Sequence, residues 1–257
     1  MHRAPPAVLV AAFLLAGCGE VRERAQTIAV PKRVTARPAP PTAPACTAPT
    51  TTTARSSTVL HVVRAFAARR RPAGRTLARI APINRFGLRT TLLALAVRVD
   101  RRCAPTWYRA KLPLQPNGVT GWVPARAVSV ARVRSRLVAD ISARRLDLFE
   151  ANRRVLRLRA GFGADLTPTP VGRFYIDAHW RVDDPSGPYG PAVLAIAAYS
   201  QAPEGRWEHG LPSAVHGTNA PWTIGQRASH GCIHVENDEL ARLLRLVPDG
   251  TPIEIRA

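Results

Sequence analysis

Val215-His216-Gly217-Thr218-Asn219 and, further on, Ser229-His230-Gly231-Cys232-Ile233-His234-Val235-Glu236-Asn237 form the stretch on which the reading of this chain turns. It gathers a thiol, three imidazoles and several glycines into one short region. The thiolate is the nucleophilic form of cysteine, and a neighbouring imidazole or cation lowers its pKa from about 8.5 into the range of roughly 3.5 to 7.5. His216, His230 and His234 are such neighbours, so an activated thiol is expected at Cys232. An activated nucleophile also needs a base within reach and a group that orients the base, and this stretch can fill both roles. Zinc is the competing reading of His230, Cys232 and His234. An i, i+2, i+4 run along one extended strand points to one face and does not wrap a tetrahedral ion, so no metal is expected.

His-Gly-Thr-Asn at 216–219, Ile224-Gly225, and Ser-His-Gly-Cys-Ile at 229–233 resemble the signature of the L,D-transpeptidase (YkuD-like) catalytic domain. The resemblance implies that Cys232 is the nucleophile and His216 the general base, with the Gly217 carbonyl holding the far nitrogen of that ring. Ser229, His230 and Gly231 would shape the pocket, and backbone N–H groups near Gly231 and Cys232 would form an oxyanion hole. Tyr189, Trp222, His234 and Asn237 are expected to bind substrate, Asn237 matching the family's asparagine after the cysteine. His234 stands where most relatives carry Arg, which exchanges a permanent cation for a group titrating at about pH 6 to 7.

Upstream, the catalytic unit is expected to begin at 135 and run to 257. Arg136 to Ile141 and Arg145 to Phe149 alternate as strands do, Ala151-Asn152-Arg153-Arg154 makes a turn, and Val155 to Arg159 returns. Thr167-Pro168-Thr169-Pro170-Val171-Gly172-Arg173-Phe174 resembles the family's Thr-Pro-x-Gly-x-Phe element, in which prolines and glycine set a sharp turn. Residues 183–191 read as a loop. In the family this loop lies over the active-site entrance, which makes Tyr189 a lid residue. Downstream, Asn237 is positioned to cap a helix through about Leu246, Pro248-Asp249-Gly250 stops it, and the chain ends on a strand.

Before the catalytic unit, residues 58–130 carry short β-branched runs punctuated by Gly and Pro, which predict a small β-barrel or sandwich. Trp107 to Pro113, Asn117-Gly118 and Gly121-Trp122-Val123-Pro124 resemble the closing strands of bacterial Src-homology-3-like domains, with Asn117-Gly118 as a hairpin turn. The expected fold class is therefore mainly β: a small Src-homology-3-like β-barrel, then a β-rich catalytic domain with a short C-terminal helix. Residues 18–57 are rich in Pro, Thr and Ala and read as an extended tether. The apolar run in residues 1–17 is shorter than the roughly 20 residues of a membrane span and ends in Leu15-Ala16-Gly17-Cys18, which resembles a lipoprotein signal with Cys18 as the lipidated residue. An ordinary cleaved signal is the alternative.

With Cys18 assigned to lipid and Cys232 to catalysis, Cys46 and Cys103 are left to pair in an exported protein, where disulfides persist. Such a bridge would move the domain start toward Cys46. The formal net charge of +20 over 257 residues raises nucleic acid as a partner. Export, the spread of the arginines along the chain and the lack of any nucleic-acid motif argue against it, and attraction to anionic wall polymers remains. The expected activity is peptidoglycan L,D-transpeptidation on stem peptides through a Cys232 thioester, without cofactor, with carbapenem β-lactams as inhibitors. L,D-carboxypeptidase activity and a non-catalytic wall-binding lipoprotein are the alternatives. The expected setting is the outer face of the cytoplasmic membrane and the cell wall, with the protein lipid-anchored and monomeric.

Overall fold

The computed structural model describes residues 46–200 and 211–257. The expected signal, the lipidated Cys18 and the first part of the tether lie outside the described residues. What is described is mainly β, two large sheets and one short helix.

The N-terminal sheet is built from β1 (Ser57–Val62), β2 (Phe66–Arg69), β3 (Thr76–Ile80), β4 (Thr91–Val99), β5 (Pro105–Lys111), β6 (Thr120–Pro124) and β7 (Val128–Val133). They run antiparallel in the order β3-β2-β6-β5-β4-β1-β7. Val59, Leu60, Leu92, Ala94, Ala110 and Val123 fill its core. A strand with one wet face alternates between buried and exposed, but Thr91, Leu92, Leu93 and Ala94 are all buried. The second face of this region meets the C-terminal half of the molecule. At that seam Gly250 has φ +86, and a Cβ there would lie 2.4 Å from Val59 Cγ1, so only glycine permits the approach.

Part of the expected tether is ordered. Cys46 is joined to Cys103, with Cα atoms 5.3 Å apart. The Thr58 N–H donates to the Thr51 carbonyl at 2.7 Å, and Thr53 Oγ1 accepts from Ser56 N–H at 3.0 Å. The cross-link and these bonds hold residues 46–56 where composition alone predicts free chain.

The C-terminal half contains β8 (Ser135–Asp140), β9 (Arg145–Glu150), β10 (Arg153–Arg159), β11 (Phe162–Gly163), β12 (Gly172–Arg181), β13 (Ala192–Ser200), β14 (Leu211–His216), β15 (Arg227–Ser229), β16 (Ile233–His234), α1 (Asn237–Leu246) and β17 (Pro252–Arg256). Eight of these strands form one mixed sheet in the order β10-β9-β8-β17-β12-β13-β14-β16, while β11 pairs with β15. Ala151 and Asn152, at φ 47 and 73, form the two-residue turn of the β9–β10 hairpin, a twist-matched geometry that asparagine tolerates well. Leu137, Leu148, Phe162, Ile176, Leu194, Val215 and Ile233 pack with Leu240 and Leu243 of α1. Complete burial of each large aliphatic side chain stabilises by roughly 1.5 to 3 kcal/mol.

The helix ends where expected but begins differently. Glu236 occupies the N-cap position without a side-chain cap, and Asn237 is the first helical residue. Its side chain is committed to another segment, described below.

Only Arg134 separates β7 from β8, and the halves share a core into which Tyr175 and Ala197 project. The Asn117 side chain, at the hairpin turn, clamps the backbone of Tyr199. It donates to the Tyr199 carbonyl at 2.7 Å and accepts from the Tyr199 N–H at 2.9 Å.

Candidate active site

Strand register assembles the site. β14 and β16 run parallel, with Val215 beside Ile233 and His216 beside His234. Successive side chains alternate between faces. Val215 and Ile233 therefore enter the core, while Ala214, His216, Cys232 and His234 line a cleft of about 700 Å³ on the other face.

His216 is buried, and its Nδ1–H donates to the Gly217 carbonyl at 2.6 Å. That bond places the proton on Nδ1 and leaves Nε2 as the basic nitrogen. Burial, and then the neighbouring His234, push the imidazole down to about 4, against the Gly217 bond, which favours the charged form. The ring is neutral at pH 7. It packs edge-on against Tyr189, with centroids 5.1 Å apart, and tilted against His234 at 4.7 Å.

The Gly217 carbonyl is itself positioned. Asn237 Oδ1 accepts the Thr218 N–H at 2.9 Å. A Cβ on Gly217 or Gly190 would come within 2.1 or 2.4 Å of that oxygen, so both positions exclude side chains. Asn237, expected to contact substrate and to cap the helix, does not line the cleft and supports the His216 loop instead.

Cys232 follows a tight turn between β15 and β16. Gly231 has φ +109, and a Cβ there would meet Ser200 Cβ at 2.4 Å. Ser229 Oγ donates to the Cys232 carbonyl at 2.6 Å and accepts the Gly231 N–H at 3.2 Å. The Gly231 amide, expected among the oxyanion donors, is thus engaged within the turn. The half-buried Cys232 is the free cysteine of the described residues. Burial pushes its thiol up, opposed by a backbone hydrogen bond from Ala214. This reverses the expectation of a thiol depressed by imidazoles, because a neutral His216 supplies no positive charge and His230 is exposed. The resting pair is a thiol and a neutral imidazole.

His234 Nδ1 lies 3.2 Å from Thr223 Oγ1, and burial, then His230, push its pKa down. It is therefore no permanent cation in place of the usual Arg. His230 and Tyr189 line the cleft, and Tyr189 is 52% exposed at its mouth. Trp222 is 71% exposed and does not line it. The cleft also contains Phe86, Trp180, Val182 and Val193, which the sequence reading does not select. Trp180 and Val193 are cross-strand partners, and Val193 in turn pairs with His216. No local signal marks such positions, because their membership depends on sheet order. Among the described residues, no group of three or more His, Cys, Asp or Glu side chains is arranged to hold a metal ion.

Residues 134–255 match the YkuD family, the L,D-transpeptidase catalytic domain. The chain is 33% identical to Bacillus licheniformis YkuD, named as an L,D-transpeptidase, over 47% of this chain and 64% of that protein. It is 34% identical to its Bacillus subtilis counterpart over 46% of this chain and 64% of the relative. The chain thus spans less than two thirds of the length of these relatives. Among solved structures, it is similar to an L,D-transpeptidase from Mycobacterium smegmatis, at 20% identity and TM-score 0.38, covering 65% of this chain and 91% of that one. LdtMt1 in complex with imipenem is similar at 22% identity and TM-score 0.40, covering 64% and 90%.

Proposed function

We propose, from the match of residues 134–255 to the L,D-transpeptidase catalytic domain, that this chain is a peptidoglycan L,D-transpeptidase acting through Cys232 and His216. The observation that carries the reading is the parallel register of β14 and β16. It sets the thiol and a neutral, singly oriented imidazole on one wall of a single cleft.

In this reading Cys232 Sγ attacks the carbonyl carbon of the diamino-acid residue at the third position of a stem tetrapeptide, and the thiol proton passes to His216 Nε2. The tetrahedral intermediate collapses with cleavage of the C–N bond. His216 returns the proton to the departing D-alanine amine, leaving a thioester. The amine of a neighbouring stem then attacks the thioester carbon, its proton passes through His216 to the sulfur, and a new amide forms with the free thiol restored. A base that accepts and then returns each proton needs no permanent charge. Water in place of the amine would make the protein an L,D-carboxypeptidase. The same thiol would be acylated by carbapenem β-lactams.

Export and lipid anchoring through Cys18 belong to the same proposal. The Cys46–Cys103 bridge supports export, since disulfides persist in oxidising compartments. The N-terminal sheet is proposed to be Src-homology-3-like.

Mass spectrometry of the protein with a defined tetrapeptide donor and acceptor tests the reading. Acyl-enzyme together with cross-linked dimer supports transpeptidation, tripeptide alone transfers the reading to the carboxypeptidase, and neither leaves a wall-binding protein. Cys232→Ser should abolish acylation. His216→Ala should keep an alkylatable thiol while slowing acylation at least 100-fold, the scale of general-base catalysis.

A further inference from the structure

One wall of the cleft does not come from the C-terminal sheet. Phe86, in the loop between β3 and β4, packs on Trp180 with ring centroids 5.1 Å apart, and both rings line the cleft. The loop is firmly built. Asn84 Oδ1 accepts the N–H groups of Phe86 and Leu88 at 2.9 and 3.1 Å, and the Gly87 N–H returns to the Asn84 carbonyl at 3.1 Å. The adjacent Arg85 guanidinium stacks over the Phe86 ring at 4.7 Å and the Tyr199 ring at 4.9 Å, hydrogen-bonds the Tyr199 hydroxyl, and lies 4.0 Å from the buried carboxylate of Asp177. Phe86 is thus held against the catalytic half by contacts on both sides of it.

Its position relative to His216 follows from register. Trp180, Val193, His216 and His234 are successive cross-strand partners over β12, β13, β14 and β16. Neighbouring strands are about 4.8 Å apart, so the Phe86–Trp180 pair stands roughly 10 Å from His216 across the cleft floor. That is about the span of three residues of extended peptide. The wall between is apolar, with Val182, Val193 and Ala195. Among the described residues, the cleft lining carries histidines but no carboxylate, lysine or arginine.

We infer that Phe86, with Trp180, forms an apolar subsite that binds an uncharged aliphatic portion of the substrate peptide about three residues of extended chain from His216. The N-terminal sheet is then part of the substrate-binding surface. The inference rests on the peptide acyl-transfer reading given above. Phe86 is a binding residue, so its loss acts on peptide affinity and leaves the chemistry of the thiol in place.

The test uses the full chain. In a Cys232→Ser background, titration with stem tetrapeptide, read by calorimetry, should give a dissociation constant about 10-fold weaker for Phe86→Ala, with Phe86→Leu intermediate and Phe86→Trp close to the parent. In the Cys232 protein, KM for the donor should rise by a similar factor. Alkylation by iodoacetamide, too small to span the cleft, should proceed at the parent rate. Equal peptide affinity with and without Phe86 overturns the subsite while leaving the transpeptidase reading intact. A parallel loss of alkylation rate and unfolding temperature in Phe86→Ala and Phe86→Leu alike would reduce Phe86 to a packing residue of the seam. Absence of both tetrapeptide binding in the parent and acyl-enzyme in the wild type overturns the functional reading itself, and the subsite with it.

Discussion

The side-chain oxygen of Asn237 lies 2.9 Å from the backbone nitrogen of Thr218, and this hydrogen bond joins the first turn of α1 to the loop whose Gly217 carbonyl orients His216. A buried N–H left without a partner costs about 1 to 3 kcal/mol. Asn237→Ala should therefore loosen the loop and lower kcat by about 10-fold with a smaller change in KM. The downfield Nδ1–H resonance of His216 reports the same event and should broaden. Because Asn237 caps nothing, stability of the helix should change little. An unaltered resonance and an unaltered kcat would show that the His216 loop stands without Asn237.

The pH dependence of turnover should distinguish a buried base from an ordinary histidine. His216 is pushed down to about 4, so its neutral form prevails above that value and the acid limb of kcat/KM should fall near pH 4. An unperturbed imidazole places the limb near about 6.5. His234→Gln removes the second cause of the depression, after burial, and should move the limb upward. A wild-type limb near that ordinary value, unmoved by His234→Gln, would contradict the assignment of His216 as the buried neutral base.

Asp177 gives an opposing effect on stability. It is 1% exposed, its Oδ1 has no hydrogen-bond partner among the described residues, and burial raises its pKa from 3.8 to about 6. Between these values the folded state holds a proton that the unfolded chain has released, so the contribution of Asp177 falls as pH rises through that window. His216 works the other way: its folded value of about 4 lies below the ordinary 6.5, so its contribution grows as pH rises through that range. The two slopes largely cancel in the wild type. Asp177→Asn removes one of them. Its stability relative to the wild type should grow by about 2 kcal/mol between pH 4 and 7, read by urea unfolding at each pH. Parallel curves would mean that the carboxyl is not held protonated.

The bridge between Cys46 and Cys103 closes a separation of 57 residues. In the chain-entropy model this stabilises by about 4 kcal/mol. The double variant Cys46→Ser/Cys103→Ser should lose stability on that scale in denaturant titration, while Cys232, in the other sheet, alkylates at the wild-type rate below the transition. A loss under about 1 kcal/mol would show that residues 46–56 are held by their backbone bonds alone.

What the sequence by itself determined is local. Alternation of apolar and polar residues marks β8, β9 and β10, Ala151 to Arg154 mark the β9–β10 turn although Arg153 and Arg154 already belong to β10, and the helix is legible through Leu246 because acidic residues follow its start and Pro248-Asp249-Gly250 stops it. The pairing of a His-Gly-Thr-Asn element with a Ser-His-Gly-Cys element points to thiol chemistry for the same reason, since each motif is a short run of chain. Only the tertiary structure decided that β14 and β16 are parallel neighbours, which turns two motifs into one wall. The Cys46–Cys103 bridge was already legible in the cysteine count, whereas the tertiary structure also decided that Asn237 supports a loop and that Phe86 reaches the cleft from the other sheet. The protonation of Cys232 and His216 belongs with these. Desolvation sums over every atom that displaces water from a group, and most of those atoms come from strands far away in the sequence.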